Sequence, residues 1–207
     1  MKKTVKLLCF MLILIFSINT ISACKKDNSN QKEENNSDRN KDFENNFTVD
    51  DLSIIDKTTG KVISIGMSKE KVDDCLGKQN EKNFMNLYNY NGLEVFYRDN
   101  KVAGLIIKSE NNLTRRFTTI RGIGLGNSKN ETIEKYGKVK QYEGNNLVLN
   151  YILEKNENRL IVLEGTNQGE FSKPDKTFVI TFSFFNGENE NLSMVFMGDY
   201  TYNFEMR

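Results

Sequence analysis

One short sequence pattern occurs twice in the chain, in residues 66–78 and again in residues 126–138. In both segments glycine, serine and lysine fill the first, third and fourth positions, and a Gly-Lys pair closes the segment. Self-similarity of this kind indicates a structural unit that is built more than once. The pattern therefore predicts two copies of one small unit.

Each copy predicts a tight turn followed by a short helix. Gly66 and Gly126 suit the turn, because glycine tolerates positive φ. Ser68 and Ser128 follow as N-cap residues, whose hydroxyls accept a hydrogen bond from a backbone N–H that the first helical turn leaves unpaired. In the second copy Glu131 stands three residues after the serine, which predicts a capping box.

Both predicted helices end at a glycine and carry one face that packs against the rest of the fold. Gly77 and Gly137 are expected to supply the left-handed position that ends a helix. A helix of about two turns is marginal alone in water, so each must be held by packing on a sheet. The residues expected to share the packed face are Val72 with Leu76, and Thr132 with Tyr136.

Turn dipeptides divide the remaining sequence into strands. Asn91-Gly92 and Asp99-Asn100 are two-residue hairpin signals, and Asn186-Gly187 opens a later turn. Residues 178–184 alternate between phenylalanine or isoleucine and other side chains, the mark of a strand with one buried face. Residues 200–204 also alternate, which predicts a further strand at the edge of the sheet.

These patterns predict an α+β fold of two tandem units, packed side by side, each a short helix on an antiparallel β-meander. Residues 47–110 are assigned to the first helix-plus-sheet repeat and residues 111–207 to the second. Neither copy carries a self-contained chemical motif, so we expect function to depend on a surface that both units form together.

The N-terminus has the features of a lipoprotein signal. Residues 1–6 are rich in lysine, residues 7–16 are all apolar, and Ile21-Ser22-Ala23-Cys24 resembles the bacterial lipobox. An uncleaved anchor helix is the alternative, but the apolar run is shorter than the ~20 residues that a spanning helix needs. We therefore expect a signal peptide over residues 1–23, lipidation of Cys24, and a polar, disordered tether over residues 24–46.

Taken together, the lipobox and the repeated Gly-x-Ser-Lys-(x)7-Gly-Lys segment, each copy followed by a meander, resemble two related groups of proteins. These are the SmpA/OmlA-type assembly lipoproteins and the tandem-domain β-lactamase inhibitory proteins; other Gram-positive lipoproteins look similar. The resemblance covers roughly residues 65–197 and implies a helix on an antiparallel sheet. Gln79 and Val139 stand where such repeats often have proline, and the disulfides of the inhibitory proteins are impossible here. We transfer no binding residue from either group.

Composition excludes several classes of function. The 207-residue chain has a formal charge of +1, and no lysine- or arginine-rich surface is expected to bind nucleic acid. It contains no histidine, which excludes histidine-dependent catalysis. Cys75 is the one cysteine outside the targeting segment, so neither a Cys/His zinc site nor an internal disulfide is expected in the rest of the chain. No cofactor or metal is predicted. Abundant asparagine, with lysine far above arginine, indicates a low-GC Gram-positive bacterium. Together with the lipobox, this predicts a lipid-anchored location on the extracytoplasmic face of the cell membrane.

Three local features invite a chemical interpretation that the sequence does not support. The glycines of residues 122–126 lack the spacing and the Gly-Lys-Ser/Thr ending of a phosphate loop, so turn formation explains them better. Cys75 has no histidine anywhere in the chain to activate it as a nucleophile. Asp73 and Asp74 are adjacent on a helix and point about 100° apart, so they do not converge on one ion.

Aromatic side chains carry the strongest indication of binding. Several strands have aromatics on both faces, and we select Tyr97, Tyr151 and Phe185, with Phe171 in a long loop, as candidate anchors for a partner. The predicted function is a non-catalytic binding or assembly module for an unidentified envelope or secreted protein. The alternatives are a surface hydrolase that uses Asp/Glu carboxylates on a wall polymer, and a purely structural envelope lipoprotein.

Overall fold

Strands dominate the described part of the chain, which the computed structural model gives as residues 46–108, 115–139, 147–163, 173–185 and 190–202. The strands are β1 (Phe47–Thr48), β2 (Ser53–Asp56), β3 (Val62–Ser64), β4 (Tyr88–Asn89), β5 (Leu93–Arg98), β6 (Lys101–Lys108), β7 (Phe117–Thr119), β8 (Val148–Asn156), β9 (Arg159–Val162), β10 (Thr177–Phe184) and β11 (Leu192–Asp199). The helices are α1 (Lys69–Leu76) and α2 (Lys129–Tyr136), with 3-10 turns at Val49–Leu52 and Pro174–Lys176.

The prediction of an α+β fold with two helix-on-meander units is wrong, because the two meanders share one sheet. Eight strands form it, in the order β1-β9-β8-β10-β11-β6-β5-β4. The junction is the antiparallel pair β6–β11, in which Ile106 lies opposite Phe196. An unpaired strand edge exposes a row of N–H and C=O groups, and pairing the last strand of each meander removes two such edges. The result is a fold dominated by antiparallel sheet, with two helices of 8 residues each.

A second, three-stranded sheet also joins distant parts of the chain. Its order is β3-β2-β7, and the central strand β2 is antiparallel to both neighbours. Ile54 of β2 lies opposite Ile63 on one side and Thr119 on the other. The boundary predicted between residues 110 and 111, and the signal and tether up to residue 45, lie outside the described residues.

One continuous apolar core lies between the inner face of the large sheet, the small sheet and the two helices. Val72 of α1 and Thr132 and Tyr136 of α2 are fully buried, while Leu76 is half-buried against the core, so the predicted packing faces are confirmed. Along β10, Ile180, Phe182 and Phe184 point into this core as the alternation predicted.

Both glycine turns adopt the predicted positive φ and make the same hydrogen bonds. Gly66 has φ +85° and Gly126 has φ +88°. The N–H of Gly66 donates to the carbonyl of Val102 (2.7 Å), and that of Gly126 donates to the carbonyl of Leu192 (3.0 Å). The first turn is therefore bonded to the start of β6 and the second turn to the start of β11, and these two strands pair at the junction.

The helix starts follow prediction, and the helix ends differ in detail. Ser68 and Ser128 cap their helices, and Glu131 Oε2 accepts from Ser128 N at 2.6 Å, which completes the capping box. This backbone N–H lowers the pKa of Glu131. Gly77 (φ +92°, ψ 145°) and Gly137 (φ +80°, ψ 170°) have the predicted sign of φ but not the left-handed helical ψ. Both lie near a region of backbone space that only glycine visits freely.

Arg121 contacts both β1 and α2 and connects the two elements. Its guanidinium carbon lies 4.6 Å from the centroid of the Phe47 ring and 4.8 Å from that of Tyr136. Its Nε donates to Oδ1 of the buried Asp51 at 2.6 Å, and this hydrogen bond raises the pKa of Arg121. A further N–H donates to the carbonyl of Lys135 at 2.7 Å, in the last turn of α2. The start of the described chain thus packs into the half that contains α2.

Candidate binding surface

The large sheet has a second face, opposite the core, which we call the outer face. Cross-strand pairing places Glu94, Ile106, Phe196, Thr181 and Asn150 in one row across β5, β6, β11, β10 and β8. Their neighbours along each strand lie in the core, and side chains alternate between the two faces of a strand. The row therefore points away from the core and crosses the β6–β11 junction.

The middle of the outer face is apolar and half-exposed. Ile106 and Phe196 are intermediate in burial. So is Met194, which precedes Phe196 on the same face of β11. The polar groups beside them have partners: Thr181 Oγ1 donates to Asn150 Oδ1 at 2.7 Å. An apolar centre with satisfied polar groups is the composition of a protein-binding patch.

An aromatic stack covers one part of the outer face. The Tyr202 ring lies between Phe96 (centroid distance 4.6 Å, interplanar angle 26°) and Phe196 (5.4 Å, 20°). It passes over Gly104, where a Cβ would lie 2.6 Å from Tyr202 Cε1. The strand predicted over residues 200–204 is therefore wrong for residues 200–202, which form a helical turn instead. Packing of the Tyr202 ring on Gly104 outweighs the local alternation.

A hydrogen-bonded loop carries an exposed phenylalanine beside the same face. Phe84 is 92% exposed and Met85 is 45% exposed. The loop is shaped by Asn83, whose Oδ1 accepts from Met85 N (2.9 Å) and Leu87 N (3.0 Å). The Asn83 amide also reaches Glu94 Oε1 at 3.5 Å, which places the loop at the rim of the outer face. Sequence reasoning missed Phe84, although an apolar Phe-Met pair between two asparagines was visible.

The four predicted anchors fall in different environments. Phe185 is 59% exposed, next to the end of β10. Tyr151 is fully buried and donates to Gly137 O at 2.7 Å, so it cannot contact a partner as an exposed anchor. Its strand alternates such that Leu149, Tyr151 and Leu153 all point into the core. Phe171, like Cys24, lies outside the described residues.

Tyr97 belongs to a hydrogen-bonded cluster on the core side of the sheet. Its hydroxyl lies 2.9 Å from that of Tyr90, which donates to Asp73 Oδ1 at 2.7 Å. Burial raises the pKa of both tyrosines. Burial opposes the charge on Asp73, but hydrogen bonds from Lys69 (2.6 Å) and Tyr90 outweigh it and lower the pKa of Asp73. The phenols stay protonated at neutral pH, so their hydrogen bonds hold α1 against the sheet.

The three buried carboxylates among the described residues are each matched by a separate cation. Asp51 pairs with Arg121, Asp56 with Arg116 and Glu94 with Lys108. A depression of about 530 Å³ beside α1 is lined by Asp73 and Asp74 among other polar residues, and Asp73 is already held by Lys69. Over the described ranges no group of three potential ligands could hold a metal ion. Within the described ranges the buried carboxylates are thus paired with separate cations, and the geometry offers a surface for contact.

Comparison of the chain with protein-family models, with curated proteins and with solved structures finds no match. No helix in the described part of the chain is long and apolar enough to cross a membrane.

Proposed function

We propose that the protein is a lipid-anchored extracytoplasmic lipoprotein that binds an envelope or secreted protein without catalysing a reaction. The outer face carries this proposal: its apolar, half-exposed centre of Ile106, Met194 and Phe196 spans the junction between the two halves of the sheet. Two exposed phenylalanines stand near it, Phe84 and Phe185. Phe185 follows β10 at the end of the sheet where β11 begins, and Phe84 lies in the loop before β4 whose Asn83 contacts Glu94.

The separate pairing of the buried carboxylates supports binding over hydrolysis. A glycosidase needs two carboxyl groups that face one scissile bond, with one of them raised in pKa. Here Asp56 is held charged by Arg116, whose hydrogen bond lowers the pKa of Asp56 far below its ordinary value. A carboxyl group held so firmly as a carboxylate does not act as a general acid at neutral pH.

The partner is tested by site-directed crosslinking. A photo-crosslinking amino acid at position 106, in the middle of the outer face, is expected to trap a specific envelope protein in cells. The matched control places it at Val62, which is 37% exposed on the small sheet. Mass spectrometry then identifies the trapped protein. Equal trapping from both positions contradicts the assignment of the outer face.

Phe84→Ser and Phe185→Ser are each expected to weaken binding of the purified, identified partner by about 30-fold, because an aromatic anchor contributes about 2 kcal/mol or more. Isothermal titration measures the affinity. The matched control is Val62→Ser, another exposed apolar side chain, on the small sheet, whose replacement should leave the affinity unchanged. Unchanged affinity in both phenylalanine variants contradicts their role as anchors.

Lipid anchoring rests on Cys24 and the segment before it. Cys24→Ser is expected to release the protein from the membrane fraction into the medium or to leave it unprocessed. Diacylation gives firm attachment, since each buried methylene contributes ~0.8 kcal/mol and one chain alone holds only marginally. Labelled palmitate should enter the wild-type protein and not the variant, and Cys75→Ser is the control. A wild-type protein that takes up no label contradicts lipidation.

A further inference from the structure

Tyr202 fills a slot on the outer face that is shaped for one aromatic ring. Phe96 and Phe196 form its walls, at 4.6 and 5.4 Å from the Tyr202 ring centroid. Gly104 forms its floor, and an added Cβ there would come within 2.6 and 2.7 Å of two ring carbons. The backbone of Gly104 does not have positive φ, so close approach of the ring explains the glycine.

We propose that this slot recognises an aromatic side chain of the partner protein and that Tyr202 occupies it in the free chain as a replaceable plug. The inference rests on the proposed function, because it names the chemistry that the outer face would bind. The fit of Tyr202 itself shows which ligand the slot accepts: a planar ring that enters between two others, in the offset stacking that aromatic pairs favour.

The slot selects for the shape of a ring. Glu94 lies on the same face of β5 as Phe96, and it is 5% exposed and paired with Lys108, whose Nζ lies 3.1 Å from Oε2. Burial is the main cause that raises the pKa of Tyr202. Tyr202 therefore occupies the slot through stacking and burial of its ring, so a tyrosine and a phenylalanine ring suit the slot alike.

The contacts that hold Tyr202 can be exchanged without opening the main core. The ring packs on a small apolar cluster of Leu87, Phe96 and Ala103, which is separate from the main core. Its turn is held by Asp199, whose Oδ1 accepts from Tyr202 N at 3.0 Å. Asp199 is itself held by Arg98 through both carboxylate oxygens, and this pair does not depend on the ring of residue 202. Another ring can thus replace that of Tyr202 without opening the main core or breaking this ion pair.

The full-length chain carrying Tyr202→Ala tests whether the slot binds a ring supplied from solution. The probe is N-acetyl-L-tyrosinamide, followed by the NMR shift of the Gly104 amide. We expect half-saturation at a concentration at least about 10-fold lower than in the wild type, where the tethered Tyr202 competes. N-acetyl-L-phenylalaninamide should bind with a similar affinity, and N-acetyl-L-leucinamide should not bind in the same range.

Two further variants distinguish the slot from general loosening. Tyr202→Phe keeps a ring in place and should bind the probe as weakly as the wild type. Adding Gly104→Val to Tyr202→Ala should abolish binding, followed at the amides of Phe96 and Phe196, because the new side chain fills the floor. Equal binding by the wild type and Tyr202→Ala, or equal binding of the leucine analogue, overturns the slot. Thermal melts check that each variant folds, and a Tyr202→Ala chain that fails to fold contradicts the role of Tyr202 as a replaceable plug.

The partner side of the inference has its own readout. Tyr202→Ala should raise the yield of the partner trapped from position 106, and an unchanged yield overturns the role of Tyr202 as a plug. The slot titration needs no partner. Binding of the tyrosine probe without any trapped protein would therefore leave the slot intact and contradict only the proposed function.

Discussion

Phe47→Ala is expected to lower the free energy of unfolding by about 3–5 kcal/mol, the cost of removing a large buried aromatic side chain. Phe47 is 1% exposed, and its ring centroid lies 5.4 Å from that of Tyr151 and 5.9 Å from that of Tyr136. The guanidinium of Arg121 covers the same ring. The substitution would leave a cavity that these neighbours cannot fill and would remove the anchor of β1 as well.

Phe84→Ala is the matched control, since it makes the same chemical change at a side chain that is 92% exposed. Its effect should stay within about 0.5 kcal/mol. Urea denaturation followed by circular dichroism measures both variants. Similar losses in the two would contradict the packing of Phe47 across the halves of the fold.

Asp56→Asn is expected to destabilise the protein by about 1.5–3 kcal/mol, because the buried carboxylate loses its charged hydrogen bonds from the partly exposed Arg116. Asp56 is fully buried and accepts from Arg116 Nε (2.9 Å) and from a terminal guanidinium nitrogen (2.6 Å). It also accepts from Thr58 N and Thr59 Oγ1, each at 2.9 Å. These contacts connect the end of β2 to the residue that precedes β7. The exposed Asp50→Asn is the control and should change little.

The same carboxylate predicts a dependence of stability on pH. The hydrogen bond from Arg116 is the largest cause that lowers the pKa of Asp56 below its ordinary value of 3.8. A group whose pKa is lower in the folded state stabilises the protein fully above its unfolded pKa, and the contribution is lost as pH falls through the folded value. The wild type should therefore lose stability below about pH 4 more steeply than Asp56→Asn. Parallel pH profiles of unfolding free energy would contradict the assignment.

Local signals in the sequence predicted local structure well. Ser68 and Ser128 are caps, Glu131 completes its box, and the glycine turns have positive φ, because each depends on residues a few positions apart. Asn91-Gly92 and Asp99-Asn100 form the predicted hairpin turns, and the first three of these residues have φ of +54°, +108° and +50°. The alternation along β10 identified its core face for the same reason.

Long-range pairing was not predictable from these signals. Nothing in the periodicity of β6 or β11 specifies that the two strands pair with each other, so the halves were assigned separate sheets. The prediction of Tyr151 as an exposed anchor was wrong for the same reason. Tyr151 points into the core because its alternation partners are Leu149 and Leu153, whereas Phe84 is exposed because of hydrogen bonds made by Asn83. Which face of a strand is buried depends on what packs there, and that information lies elsewhere in the chain.

The central position of β11 has a consequence for the order in which the protein can fold. This strand lies between β10 and β6 although it is the last strand of the described chain, so its pairing with β6 closes a loop of more than eighty residues. Contacts so distant in sequence slow folding, because the chain entropy is lost before the contacts form. A chain that emerges N-terminus first leaves the edge of β6 open until residues 192–199 arrive. Synthesis or export that stops short of this strand would therefore yield a half-sheet with an exposed edge, prone to pair with other chains.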